Sequence, residues 1–148
     1  MKIRNVLTAA ALVLATTMSI SAAEHEVKML NTGADGEKMV FEPEFLQIAP
    51  GDTVTFVPTD KGHNAESING MIPEGGTEFK GKINEEISVT FDVEGAYAYK
   101  CLPHFAMGMV GLIVVGEDPA NLAQITEAKA PPKAKAKFEE LAAMVGQQ

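Results

Sequence analysis

The sequence predicts an all-β antiparallel sandwich or barrel that ends in a short helical tail. Between residues 26 and 116, short runs rich in β-branched and aromatic residues alternate with clusters of Gly, Pro, Asn and Asp, without helical periodicity between them. Within 85–93, Ile87, Val89 and Phe91 fall on one face at a period of two, as in a half-buried strand. Beyond the last of these runs, the spacing of apolar residues changes to that of a helix.

The first 23 residues have the composition of a secretory signal peptide. Lys2 and Arg4 precede an apolar run that is too short to cross a bilayer, and small residues follow it. We expect cleavage after Ala23, with Ala22 as the alternative, which leaves 24–148 as a single domain. No later run is apolar enough to insert into a membrane.

The predicted strands are separated by turn formers. The runs span residues 26–30, 39–48, 53–58, 85–93, 96–101 and 109–116. Pro43 interrupts the second run, and a Pro-Gly-Asp turn follows it. The segment 60–84, rich in Gly, Asn and charge, is expected to be a long connection that crosses from one sheet to the other.

Residues 118–148 are predicted to be a helical extension of the same domain. Asp118 is placed as an N-cap with Pro119 at the first helical position, and a second helix starts at a Pro pair. The apolar stripe of that second helix comprises Ala134, Phe138, Leu141, Ala142 and Val145.

The net charge of the chain argues against one class of partner. The 148 residues hold 12 Lys and Arg against 20 Asp and Glu, a formal charge of −8 at pH 7. This acidic excess argues against a nucleic-acid partner and suits an exported protein.

One short segment, "CLPHFAMGM", concentrates side chains that bind soft metals. It holds Cys101, the only cysteine of the chain, together with His104, Met107 and Met109. A second imidazole, that of His63, follows the strand run 53–58. A turn within the segment could direct a thiolate, an imidazole and a thioether toward one point.

Two imidazoles, one thiolate and a weak thioether are the ligand set of a blue copper site. Copper would also give the lone thiol of an exported chain a purpose, because coordination deprotonates and occupies it. The remaining histidine, His25, lies near the expected mature terminus and is predicted to be solvated.

The chain resembles the pseudoazurins, small proteins of the cupredoxin class. The matching stretches include "MVFEP", "APGDTVTFVPTDKGHNAESI", "MIPEG", "KINE", "YKCLPHFAMGMVG" and "PANL", and they span essentially everything after the leader. The resemblance implies an eight-stranded Greek-key sandwich with two C-terminal helices. It also implies one type 1 copper per chain, cycling between Cu(I) and Cu(II). The copper ligands that it implies are His63, Cys101, His104 and Met109, with Met107 as the alternative axial ligand.

The same resemblance gives three neighbouring residues a role beside the copper. Asn64 would hold the two ligand loops together by hydrogen bonding near the thiolate, Met39 would lie near the exposed imidazole, and Pro103 would restrict the ligand loop. An ordinary turn asparagine and plain packing are the alternative interpretations of these residues.

A docking surface is expected around the imidazole of His104. Its apolar part would come from Leu102, Pro103, Phe105, Ala106 and Met107, because apolar loop residues outside a core mark a contact surface. The resemblance implies a rim of lysines, here Lys61, Lys80, Lys82 and Lys100. Solvated lysines without a shared purpose are the alternative.

The function implied is that of a periplasmic one-electron carrier rather than an enzyme. Its acceptor would be a copper-containing or haem-containing nitrite reductase, with a cytochrome as donor, in denitrification. Because one chain supplies the whole site, we expect a monomer. A copper chaperone or storage protein is the alternative function, and a thiol enzyme with Cys101 as nucleophile and His104 or His63 as base is a further one.

Overall fold

The computed structural model of the protein describes residues 21–147. The predicted signal peptide therefore lies outside the described residues, except for its last three positions. Among the helices that are described, none is long and apolar enough to cross a membrane.

Within residues 21–147, eight strands form two four-stranded sheets that pack face to face. The strands are β1 (Glu24–Thr32), β2 (Lys38–Glu42), β3 (Phe45–Ile48), β4 (Asp52–Val57), β5 (Glu66–Ser67), β6 (Ile87–Phe91), β7 (Gly95–Lys100) and β8 (Val110–Val115). The first sheet has the order β2-β1-β4-β6 and the second the order β3-β8-β7-β5. The fold is therefore a sandwich and not a barrel. The sheets are not wholly antiparallel, because β1 pairs with β4, and β3 with β8, in parallel.

The core between the sheets follows from the alternation along the strands. In β4, Asp52, Val54 and Phe56 are buried while their neighbours are half-buried. All six residues of β8 are buried, because the helical tail covers the face of that strand that the first sheet does not. This explains why β8 reads as a continuous apolar run in the sequence.

The predicted long connection holds one short strand. After β4 the chain leaves the first sheet, adds the two-residue β5 to the edge of the second sheet, and returns to the first sheet at β6. The single crossing that the sequence predicted is thus wrong. A strand of two residues is too short to show periodicity, so no pattern could have indicated it.

The tail forms two helices, as predicted, α1 (Leu122–Thr126) and α2 (Pro132–Ala142). The N-cap prediction was wrong. With Asp118 as the N-cap the helix would begin at Pro119, whereas α1 begins three residues later, at Leu122. Asn121, which precedes α1, instead exchanges two hydrogen bonds of 2.8 Å with the backbone of Ala96 in β7. The stripe of α2 is confirmed for Ala134, Phe138 and Leu141, which are buried against the second sheet. Ala142 and Val145 are half-buried, and Val145 lies beyond the end of the helix.

Candidate metal centre

The loop between β7 and β8 is tied into one rigid turn by its own backbone. Cys101 N–H donates to the Met109 carbonyl at 3.0 Å, and Met109 N–H donates to the His104 carbonyl at 3.2 Å. His104 N–H donates in turn to the Cys101 carbonyl at 3.2 Å. Gly108 closes the 3₁₀ segment Leu102–Met107 in the left-handed region, at a φ of 88° that glycine adopts without strain. Three residues spaced along nine positions are thereby held at one end of the sandwich.

His63 reaches the same end from the other sheet, in the connection after β4. Asn84 fixes its backbone, because Asn84 N–H donates to the His63 carbonyl at 2.8 Å and the Asn84 side-chain oxygen accepts from Gly62 N–H at 2.7 Å. His63 is fully buried. Hydrogen bonds thus also hold His63 in place, although it lies 38 residues before Cys101 in the chain.

Three donor atoms face one another across a small triangle. The Sγ of Cys101 lies 3.6 Å from Nδ1 of His63 and 3.5 Å from Nδ1 of His104, and the two imidazole nitrogens are 3.2 Å apart. A point about 2.0 Å from all three atoms exists inside such a triangle, which is close to the metal–nitrogen distance of about 2.0–2.1 Å in proteins. The three residues therefore fit a single metal ion in near-trigonal coordination.

The tautomer of His63 agrees with this role. Its Nε2 lies 2.8 Å from the Oδ1 of Asn31, so an Nε2–H donates to the amide oxygen and leaves the lone pair of Nδ1 directed at the triangle. Asn31 is held in turn by Asp60, whose carboxylate accepts from Asn31 N–H at 2.7 Å. Sequence reasoning missed Asn31, because it stands at the start of a Gly/Asn/Asp-rich turn and carries no distinguishing signal.

Burial shapes the charges of the metal-free site. It lowers the pKa of His63, with a smaller contribution from the neighbouring His104, and this keeps the ring neutral. Burial likewise raises the pKa of the Cys101 thiol. A metal ion is therefore what would hold this cysteine as a thiolate.

The fourth ligand is distinguished by burial. Met109 is fully buried and lies in the core beside Cys101, whereas 49 % of Met107 is exposed. The backbone of Met109 also bonds to both ligands of the loop, as described above.

The comparisons with known proteins agree with the fold and with the donor set. Residues 27–116 match the family of copper binding proteins described as the plastocyanin/azurin family. The chain is 51 % identical to the pseudoazurin of Paracoccus pantotrophus, over 88 % of this chain and 90 % of that protein. This chain belongs to the pseudoazurins.

Solved structures of the family lead to the same assignment. The pseudoazurin structure from Sinorhizobium meliloti is 52 % identical, with a TM-score of 0.80 over 83 % of this chain and 96 % of that one. The pseudoazurin of Hyphomicrobium denitrificans is 48 % identical, with a TM-score of 0.78 over 82 % and 98 % of the two chains. The predicted eight-stranded sandwich with two C-terminal helices is thus confirmed.

As a pseudoazurin, the protein is a blue copper electron carrier and not an enzyme. Its type 1 copper site comprises His63, Cys101, His104 and Met109, as the sequence predicted. With these four ligands, the residues of the chain would leave a bound copper ion no open position for a substrate.

The side chain of Asn64 spans the two ligand loops of this pseudoazurin. Its Oδ1 accepts from Leu102 N–H at 2.7 Å, just after the cysteine ligand. Its Nδ2 donates to the Oε2 of Glu66 and to the carbonyl of Gly81, each at 3.1 Å. The sequence analysis singled out Asn64 but missed Glu66, because Glu66 stands among the many charged residues of the connection 60–84 and carries no distinguishing signal.

The other residues singled out in the sequence lie around this end of the pseudoazurin. Met39 packs against the core and lines one surface groove together with Met107. Pro103 is exposed and is the second residue of the 3₁₀ segment, and Phe105 is half-buried against the helices and the second sheet. Three of the four rim lysines, Lys61, Lys80 and Lys82, are exposed.

Two residues, Lys100 and His25, are less exposed to solvent than the sequence predicts. Lys100 is largely covered, since its ammonium lies 3.7 Å from a carboxylate oxygen of Glu66 and 4.8 Å from the centre of the Phe105 ring. His25 is not freely solvated, because its Nε2 lies 2.9 Å from the carboxylate of Asp52 at the start of β4.

Proposed function

We propose that this pseudoazurin works in the periplasm, where it delivers single electrons to a nitrite reductase of the copper-containing or the haem-containing type. The observation that carries the proposal is the surface around His104. This ligand is partly exposed, and the neighbouring Leu102 and Met107 expose 52 % and 49 % of their surface. A metal ligand that reaches solvent through an apolar patch gives an electron a short route to a docked partner.

The residues of the chain do the structural part of electron transfer. Copper, when bound, supplies the one-electron couple. The buried His63 and Cys101 and the fixed backbone of Met109 keep the donor atoms nearly still, so little rearrangement accompanies a change of oxidation state. His104 offers its ring edge to the partner.

Lysines would guide the partner to this patch. Lys61, Lys80 and Lys82 are exposed in the connection that also carries His63, although the whole chain is acidic. A local positive rim attracts a partner with an acidic docking face and raises the association rate more than the affinity. A cytochrome with such a face would serve as the donor.

Two further proposals concern the mature chain. We infer that it is a monomeric domain of residues 24–148, released by cleavage after Ala23. Cleavage after Ala22 has its own support, because Ala23 N–H donates to Asp52 at 2.9 Å, and an α-ammonium there would pair with that carboxylate. Mass spectrometry of the periplasmic protein and sedimentation equilibrium test these two points.

The partner is tested by stopped-flow transfer from the reduced protein to each type of nitrite reductase. We expect transfer that slows as salt is added, and a decrease of about tenfold at low salt when Lys61 and Lys82 are changed to Glu. Lys28→Glu is the matched control, because Lys28 lies on the outer face of β1 between the buried Val27 and Met29. A charge reversal at Lys28 that slows transfer as much as the rim variant would contradict the docking surface.

The acceptor itself is tested in the same experiment. Transfer to neither reductase, with the wild-type protein fully reduced by another donor, would overturn the nitrite reductase proposal. It would leave the copper centre and its carrier function intact.

A further inference from the structure

Glu66 carries a buried carboxylate close to the copper ligands. Electron transfer as proposed above does not use this carboxylate. Only 7 % of its surface is exposed, and among the described residues the other buried polar or charged side chains are Asp52, His63 and Asn64. Burial of a carboxylate is costly unless partners compensate for it. Its retention at this position therefore calls for a reason.

The two carboxylate oxygens have different partners. Oε2 accepts from Asn64 Nδ2 at 3.1 Å, and Oε1 lies 3.7 Å from the ammonium of Lys100. Lys100 directly precedes Cys101, and its ammonium lies over the ring of Phe105, 4.8 Å from the centroid. Glu66 thus contacts the ligand loop indirectly on both sides, through an amide and through an ammonium.

The hydrogen bonds of Asn64 show what the carboxylate can do. A primary amide can rotate by half a turn and exchange its oxygen with its nitrogen. Its nitrogen here faces two groups that only accept, the Glu66 carboxylate and the Gly81 carbonyl. Its oxygen must then face Leu102 N–H, which it does at 2.7 Å. A rotated amide would point N–H at N–H and break the bond between the two ligand loops.

We propose that Glu66 is a positioning residue of the copper centre, which fixes the orientation of the Asn64 amide so that it links the His63 loop to the Cys101 loop. Lys100 compensates the buried charge and secures the carboxylate. The inference rests on the linking role of Asn64 proposed for this family, and it is independent of the redox partner. It also gives Lys100 a task inside the protein rather than in docking.

The alternative is that Glu66 only pairs with Lys100 to attach β5 to the sheet edge. Both explanations predict a loss of stability when Glu66 is changed, so stability does not separate them. They differ at Leu102 N–H and in the geometry of the copper ligands, which the Cu(II) spectra report and which only a positioning residue would affect.

The test compares Glu66→Leu and Glu66→Gln with Glu78→Gln, which removes an exposed carboxylate from the same connection. Hydrogen exchange at Leu102 N–H in the metal-free protein is the first measurement. We expect it to accelerate at least tenfold in Glu66→Leu, less in Glu66→Gln, whose amide still carries an acceptor, and not in Glu78→Gln. Lys100→Met, which keeps the acceptor, should retain most of the protection.

The copper-loaded variants supply the second measurement. In Glu66→Leu and Glu66→Gln the visible and electron paramagnetic resonance spectra of Cu(II) should change. The reduction potential should rise under either explanation, because loss of a nearby negative charge destabilises the more positive oxidised state, so the potential does not decide between them. Unchanged Leu102 exchange and unchanged spectra in both Glu66 variants, even with lowered stability, would overturn the proposal.

Asn64→Leu separates this failure from failure of the linking role. If Asn64→Leu alters the spectra and the Glu66 variants do not, Asn64 links the loops without help from Glu66. If neither alters them, the linking role is wrong and the inference about Glu66 falls with it.

Discussion

Replacement of Tyr99 by Phe should stabilise the metal-free protein. The ring is fully buried between aromatic neighbours, with its centroid 4.8 Å from that of Phe41 and 5.0 Å from that of Phe56. Among the described residues, its hydroxyl is the buried side-chain polar atom that has no hydrogen-bond partner. Burial raises the pKa of Tyr99 far above its ordinary value, as expected where a phenolate cannot be solvated.

The magnitude follows from two opposing effects. A buried polar group without a partner costs about 1–3 kcal/mol. Its removal leaves a void on the order of 10 Å³, which costs about 0.2 kcal/mol at roughly 24 cal/mol per Å³. The void is small because the hydroxyl packs directly on the backbone of Gly111, where an added Cβ would lie 2.2 Å from it. The net gain should be about 1 kcal/mol, or about 2–4 °C in Tm for a domain of this size.

The assay is urea unfolding of the metal-free protein at pH 7, because bound copper would add its own stabilisation. Tyr97→Phe is the matched control. The hydroxyl of Tyr97 donates to the Val93 carbonyl at 2.7 Å, so its loss should destabilise the protein by about 1 kcal/mol. Tyr99→Phe and Tyr97→Phe should therefore change stability in opposite directions. A Tyr99→Phe variant as destabilised as Tyr97→Phe would refute the reasoning and would indicate that the Tyr99 hydroxyl has a partner.

The pH dependence gives an independent check on the same residue. A phenol whose folded pKa is raised contributes stability that is complete below its unfolded pKa, near 10, and that is lost as pH rises above it. Wild-type stability should therefore fall above about pH 10, and this fall should be shallower in Tyr99→Phe.

Three further predictions concern the copper centre and the far end of the sandwich. Cys101→Ser should abolish the intense colour of the Cu(II) form while circular dichroism of the metal-free fold is unchanged; a variant that keeps the colour would contradict the assigned ligand. Asn31→Asp should lower the reduction potential, because a carboxylate on Nε2 of His63 makes that ligand more basic, and an unchanged potential would exclude the hydrogen bond seen at 2.8 Å. Hydrogen bonds lower the pKa of Asp52, the largest contribution coming from His25 and a smaller one from the backbone N–H of Ala49, and both groups remain in a chain that begins at Glu24. The contribution of Asp52 to stability is therefore present above pH 3.8 and is lost as the pH falls through the folded pKa. In Asp52→Asn the free energy of unfolding should therefore depend less steeply on pH in acid, and a dependence as steep as that of the wild type would refute this.

The strands and helices with a clear period could be predicted from the sequence. β4 and β6 alternate, and the stripe of α2 has helical spacing, because each buries one face only. The two-residue β5 and the start of α1 could not, because both depend on partners that lie far away in the chain. β5 exists through its pairing with β7, and Asn121 precedes α1 because it bonds to Ala96.

Within the site, the sequence by itself determined the chemistry. One thiol, two imidazoles and a thioether are soft or borderline donors, and the kinds of atom that bind copper are fixed by residue type alone. The nine-residue spacing also required a tight turn, which Gly108 provides.

Only the tertiary structure decided which atoms meet and what holds them. Two sheets must pack before Nδ1 of His63 comes within 3.6 Å of the Cys101 sulfur, and only then does Asn31 meet His63 and Glu66 meet Lys100. Local sequence cannot encode such contacts, because a hydrogen bond between distant residues depends on the packing of every element between them.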